Sequence, residues 1–166
     1  MTNEKISIVS FEEAARIIEN ERKNDDSEFM EGGFDPGTKV KDFLFKDFSS
    51  ENTLENLIEK ADLISLWKVC EIEKLQDRGL KFLSTGEMKK ALLCKSFLLL
   101  VFKKVKKVHL VNIYEGLDKE TVQLLKNIEN SYVFKKRFSA FVEFENKKPL
   151  DSLKIDNLKN VNFQNS

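Results

Sequence analysis

Between Ala91 and Phe102 the chain carries its longest apolar run, interrupted by Lys95. The run is too short for a bilayer, which a helix crosses with roughly 20 apolar residues. Leu92, Leu93, Phe97, Leu100 and Val101 recur at helical spacing, so the run predicts a deeply packed helix that begins at Ser84. The rest of the chain has to be arranged around this helix. Its 166 residues suffice for one domain with a buried core.

Upstream, Lys5–Val9 reads as a strand and Phe11–Arg22 as a helix with Ala14, Ala15, Ile17 and Ile18 on one side. Acids, paired glycines and a proline make Asn24–Pro36 a loop. Short helices are expected at Thr38–Lys46 and Ser50–Lys60, with one or two more through Asp62–Gln76. Each has an apolar stripe too narrow to be stable alone, which predicts a small helical subdomain across about 24–80. Gly79 ends that series. Downstream, Val108–Ile113 reads as a buried strand. Asp118 caps a helix over Lys119–Asn130, with Val122, Leu124, Leu125 and Ile128 inward. Val133–Glu145 predicts one or two strands from the alternation of Phe138, Ala140, Val142 and Phe144. The tail from Asp151 is polar and leucine-spaced, with weak structure expected. This order of strand, helices, strand, helix and strand is that of an α/β fold.

Composition excludes several classes. Lys plus Arg equals Asp plus Glu at 28 each, so nothing in the overall charge favours nucleic acid. Locally Lys103, Lys104, Lys106 and Lys107 form a basic run, read as a solvated loop, while Glu4–Glu31 is largely acidic. Cys70 and Cys94 lack metal-ligand spacing and read as buried free thiols in a reducing cytosol. No secretory leader is read, since the first apolar stretch is only Ile6–Val9. A cytoplasmic protein with no direct membrane insertion is expected.

The most informative stretch is Phe82-Leu83-Ser84-Thr85-Gly86-Glu87-Met88-Lys89-Lys90. Ser84 and Glu87 form an S-x-x-E capping box. Gly86 leaves the backbone bare in the first turn, where free amides, the helix dipole and a serine hydroxyl suit an anion. Leu83–Glu87 resembles the LSGGQ signature of ABC ATPases, in an L-S-x-G-E form. Tyr114-Glu115-Gly116-Leu117-Asp118 resembles that family's D-loop, 31 residues on when counted from Gly86 to Leu117. Val9-Ser10-Phe11-Glu12 and Glu31–Gly37 resemble duplicated cassettes of the molybdate-transport or photorepair type. The resemblance covers about Lys5–Asn130. It implies a partial ABC ATPase-like cassette with a helical subdomain inserted before the signature helix, and 84–146 carrying signature helix, Walker B-like strand, D-loop and the following elements.

Against that pattern the hydrolytic parts are missing. Gly32-Gly33-Phe34-Asp35-Pro36-Gly37-Thr38-Lys39 is a poor P-loop: Pro36 has no amide, Asp35 repels phosphate and no apolar strand precedes it. The family's P-loop would come before the Ile6 strand, and the chain is expected to start after that point. The Walker B acids fall on Val111 and Asn112, which neither balance a metal nor act as a base. The Q-loop glutamine corresponds to Glu12 or Glu13. The switch histidine is absent: His109, the only histidine, precedes the D-loop and reads as a strand-edge or core residue, and Asn146 falls near the switch position.

No catalytic residue and no metal ligand is therefore expected. The resemblance implies that ATP binds only with a partner subunit whose P-loop is intact, magnesium entering only through that partner. Ser84, Thr85, Gly86 and Glu87 would contact the nucleotide in trans, with Gly116, Leu117 and Asp118 as D-loop. A split enzyme, a vestigial gene remnant and a small helical interaction module unrelated to nucleotide stand as alternatives.

Overall fold

The computed structural model describes residues 5–25, 32–33, 35–49 and 53–147. The expectations for 148–166, and for most of the loop around Glu31, lie outside these residues. Three short strands, β1 (Ile6–Val9), β2 (Lys107–Val111) and β3 (Val142–Glu145), form a parallel sheet in the order β1-β2-β3. The register pairs Val9 with Leu110 and Leu110 with Phe144. Between β1 and β2 run α1 (Phe11–Lys23), α2 (Val40–Phe45), α3 (Leu54–Ala61), α4 (Ile64–Val69), α5 (Ile72–Leu75) and α6 (Thr85–Val101). A 3-10 turn, Leu80–Phe82, leads into α6, and α7 (Lys119–Glu129) and α8 (Tyr132–Phe138) connect β2 to β3.

The expected central helix is α6, and nearly its whole circumference is covered: Met88, Ala91, Leu93, Cys94, Phe97 and Leu98 are all buried. One face of the sheet packs on it. Val9, Val108 and Leu110 on that face are buried, and Ser7 exchanges a hydrogen bond with Ser96 of α6 at 2.6 Å. Side chains from α2 to α5, including Leu44, Leu57, Leu66 and Ile72, join the same core from the other side of α6. No single one of these short helices is long enough to be stable alone, and shared burial holds them. The opposite sheet face is more open, with Ile6 and Ile8 about half exposed. Among the described residues β1 pairs only with β2 and forms one edge of the sheet.

Three local expectations are corrected. Val133–Phe138 belongs to α8 and only Val142–Glu145 is a strand. Ser131 caps α8 by accepting from the Phe134 amide, and Phe134 and Phe138, one turn apart, both pack on Phe97 with ring centroids 5.7 and 5.1 Å away. That i, i+4 aromatic pair outweighs the apparent alternation. In α7, Leu125 is buried but Leu124 is 40% exposed; buried Thr121 takes an inward place instead, its hydroxyl bonded to Asp118. Finally, β2 stops at Val111, because Asn112 turns into the left-handed region at φ 46°.

Candidate functional site

The C-terminal ends of β1 and β2, the start of α1, the start of α6 and the β2–α7 loop converge on one corner. Such corners, outside the carboxyl ends of parallel strands, are the usual place for ligands in open α/β sheets. Ser84 is the N-cap of α6 and forms a complete capping box: the Glu87 amide donates to Ser84 Oγ at 3.1 Å and the Ser84 amide to Glu87 Oε1 at 2.9 Å. Arg78 Nη1 donates to Glu87 Oε2 at 2.7 Å. Partial burial raises the Glu87 pKa, but the bonds from Ser84 and Arg78 outweigh it and hold the carboxyl below its ordinary value. Ser84 is exposed, Thr85 and Gly86 are half-buried, and the amides of these last two carry no hydrogen bond among the described residues.

Gly86 allows a close approach at this turn. A Cβ there would lie 3.0 Å from the carbonyl oxygen of Gly116, so the bare turn of α6 sits directly on the Glu115–Leu117 loop. Gly116 itself is at φ 77°, a conformation that costs glycine little, and Phe11 at the start of α1 lies beside it. The two stretches, 31 residues apart when counted from Gly86 to Leu117, lie in contact in the structure. Asp118 caps α7, its carboxylate accepting from the Thr121 amide at 3.2 Å and hydroxyl at 2.5 Å, bonds that lower its pKa. Leu117 is half-buried beside Gly86.

Below this turn lies a residue that sequence reasoning missed. Lys89 is 1% exposed and donates from Nζ to the backbone carbonyls of Asn112 at 2.5 Å and Glu115 at 2.9 Å. It thus fixes the loop on which Gly86 rests. Burial lowers its pKa to about 8, against the opposing pull of Glu115 and Glu12. Its spacing to Leu92, Leu93 and Ser96 puts it on the buried side of α6, a signal masked by the neighbouring Lys90. Lys90 takes a different course, pairing with Glu71 at 3.1 Å and lying 3.9 Å from Asp118.

Asn112 is fully engaged with backbone. Its Nδ2 donates to the Lys147 carbonyl at 3.0 Å, its Oδ1 accepts the Lys147 amide at 2.8 Å, and its own amide donates to Glu145 at 2.8 Å. The side chain extends the β2–β3 pairing past the end of the sheet. Val111 is buried and offers no polar group. His109 is not a strand-edge residue: it lies on the middle strand, paired with Ile8 and Glu143, with Nε2 2.6 Å from Glu145 Oε2. Glu13 is spent in α1, its amide on Ser10 Oγ and its carboxylate on Arg16, whereas Glu12 lies within electrostatic reach of Lys89. Asn146 follows β3 and is exposed.

The segment around Gly37 is built to repel an anion. Asp35 Oδ1 accepts the Gly37 amide at 2.9 Å, Glu21 Oε2 accepts the Thr38 amide at 3.1 Å, and a Cβ on Gly37 would meet Glu21 Oε2 at 2.9 Å. Lys81, almost wholly buried, lies 3.3 Å from Asp25 and 3.7 Å from Asp35. Carboxylates occupy the amides that a phosphate would need. Cys70 and Cys94 are buried free thiols, and burial pushes both pKa values up, Cys94 to about 12. Among the described residues no group of His, Cys, Asp and Glu is placed to hold a metal ion. None of their helices is long and apolar enough to cross a membrane.

No family profile matches the chain, and no curated protein matches it. Among solved structures, the chain is similar to the ATP-binding cassette MJ0796 in a dimeric post-hydrolysis state bound to ADP and Pi. The two share 15% identity at a TM-score of 0.46, over 89% of this chain and 54% of that one. The chain thus spans about half the length of that cassette, and a likeness this loose assigns neither family nor activity.

Proposed function

We propose that this chain is a partial ABC-type ATP-binding subunit that hydrolyses nothing by itself and presents the start of α6 to an ATP held by another polypeptide. One observation carries the reading: exposed Ser84 and the unbonded Thr85 and Gly86 amides form the first turn of α6, and Gly86 in that turn packs closely against the Gly116 carbonyl in the loop that follows β2. Two free amides at the positive end of a 17-residue helix, beside the capping hydroxyl of Ser84, suit the terminal phosphate of a nucleotide. Arg78 neutralises Glu87, the nearest acid on that turn.

The same residues do not fit a complete nucleotide site of their own. ATP supplies the triphosphate and magnesium balances its charge, but Val111 is apolar and both polar atoms of Asn112 are bonded to Lys147. Metal and catalytic base therefore belong to the partner, an ABC ATPase with an intact P-loop. Gly116, Leu117 and Asp118 line the contact with it, and α2 to α5 act as the helical subdomain that carries α6.

The experiment is ATP turnover by such a partner with and without this chain, repeated with Ser84→Asp. Aspartate preserves the N-cap but places a negative charge against phosphate. We expect partner turnover to depend on the chain and to fall at least tenfold with Ser84→Asp at unchanged stability. Turnover indifferent to the chain, or to Ser84→Asp, would sink the reading and leave a remnant or an interaction module unrelated to nucleotide.

A further inference from the structure

At the opposite end of the sheet a groove of about 650 Å³ opens between the C-terminus of α6 and the α8–β3 connection. Its position follows from two backbone bonds: the Lys106 amide donates to Lys5 and the Val108 amide to Phe141, both at 2.9 Å, which draws the two connections to the start of the strands. Val101, Val105, Phe138 and Phe141 form an apolar floor. Lys103, Lys106, Lys107 and Arg137 stand around it. Arg137 donates to the Ala61 and Asp62 carbonyls and lies over the Phe138 ring. No carboxylate among the described residues pairs with any of these four cations.

A second observation singles out Lys103. It stands at φ 57°, where the Lys103 amide donates to Leu100 at 3.1 Å and the Lys104 amide to Leu99 at 2.8 Å. These two bonds are the Schellman closure of a helix, whose left-handed residue is most often glycine because a side chain there is strained. Lysine at that position is unfavourable for the helix end, and Lys103 lines the groove. Asp62, Glu71 and Asn112 also stand at positive φ, so the strain adds to the case for Lys103 only through its place at the groove.

We infer that this groove binds a free single-chain amphiphile with an anionic head, the alkyl chain on the Val105–Phe138–Phe141 floor and the carboxylate among Lys103, Lys106 and Lys107. The volume falls within the roughly 300–1,000 Å³ of small-molecule sites, which are mostly apolar with a few charged groups fixing orientation. Concavity distinguishes this occupant from a bilayer, which would meet a convex face. The groove is at the far end of the strands from Ser84 and does not depend on the nucleotide reading.

The test is calorimetric titration of the full chain with decanoate below its micelle concentration, with octanoate and decyltrimethylammonium as comparisons. Decanoate is expected to bind one to one, about fifteenfold more tightly than octanoate, since each of the two extra buried methylenes contributes about fourfold. The cationic amphiphile is expected not to bind. Lys103→Gly separates binding from structure: it should raise the melting temperature by relieving the left-handed strain while weakening decanoate at least threefold. Lys106→Glu, on the exposed loop, should weaken it further. Absent binding, equal affinity for the two chain lengths, or undiminished affinity in Lys103→Gly would overturn the inference. So would adsorption to phosphatidylglycerol vesicles without one-to-one decanoate binding.

Discussion

Replacing Asn112 tests the account of how β2 hands over to the Glu115–Leu117 loop. Two separable effects are at stake. Asparagine tolerates the left-handed backbone at φ 46°, whereas alanine there costs about 1 kcal/mol. The paired bonds to the Lys147 backbone, 3.0 and 2.8 Å long and partly open to solvent, contribute about 0.5–1 kcal/mol each. Asn112→Ala should therefore destabilise the chain by about 2–3 kcal/mol. Asn112→Gly loses the bonds but not the backbone fit and should cost about 1 kcal/mol less. Urea unfolding followed by far-UV circular dichroism gives both values, provided the two variants show the same urea dependence as the wild type. If alanine costs no more than glycine, the left-handed backbone is not what holds asparagine there. If both stay within about 0.5 kcal/mol of wild type, the clasp to Lys147 is not structural.

Three further outcomes follow from the packing. Lys89 titrates near pH 8 when folded and near 10.5 when unfolded, so between these values the unfolded chain binds the extra proton and stability should rise with pH. Buried Cys70 and Cys94 oppose this above about pH 9, so the quantity to measure is wild type minus Lys89→Met, expected to grow from pH 7 to pH 10 by up to about 3 kcal/mol; a flat difference would refute it. Phe97→Ala removes a 2%-exposed ring that holds Phe134 and Phe138, and should cost about 3–5 kcal/mol in urea unfolding, with less than about 2 kcal/mol contradicting the α8 packing. Ile8, 48% exposed on edge strand β1, should accept lysine with little change in stability while light scattering shows less self-association, and unchanged association would mean the edge is already protected.

What could be read from residue order was whatever depends on neighbours a few positions apart. The helix from Ser84, its capping box, the cap at Asp118, the β1–α1 opening and a buried middle strand were all legible, because capping and helical periodicity act within one or two turns. Spacing showed only that Gly86 and Leu117 lie 31 residues apart; the 3.0 Å approach that a Cβ on Gly86 would make to the Gly116 carbonyl exists only in the fold. Where local patterns conflicted, as in Val133–Glu145, long-range packing decided: Phe97, far away in sequence, offers Phe134 and Phe138 a surface that rewards a helix and not a strand.

The sequence by itself determined an α/β chain organised around one capped, apolar helix, with no acid at Val111 or Asn112. Only the tertiary structure decided that Lys89 is buried under the loop, that Asn112 clasps Lys147, and that the Lys103–Lys107 run borders an apolar groove. The reason is the same in each case. The residue type of a lysine or asparagine gives no signal of burial, any signal from helical spacing is weak, and its environment is fixed by backbone carbonyls and side chains brought in from distant elements.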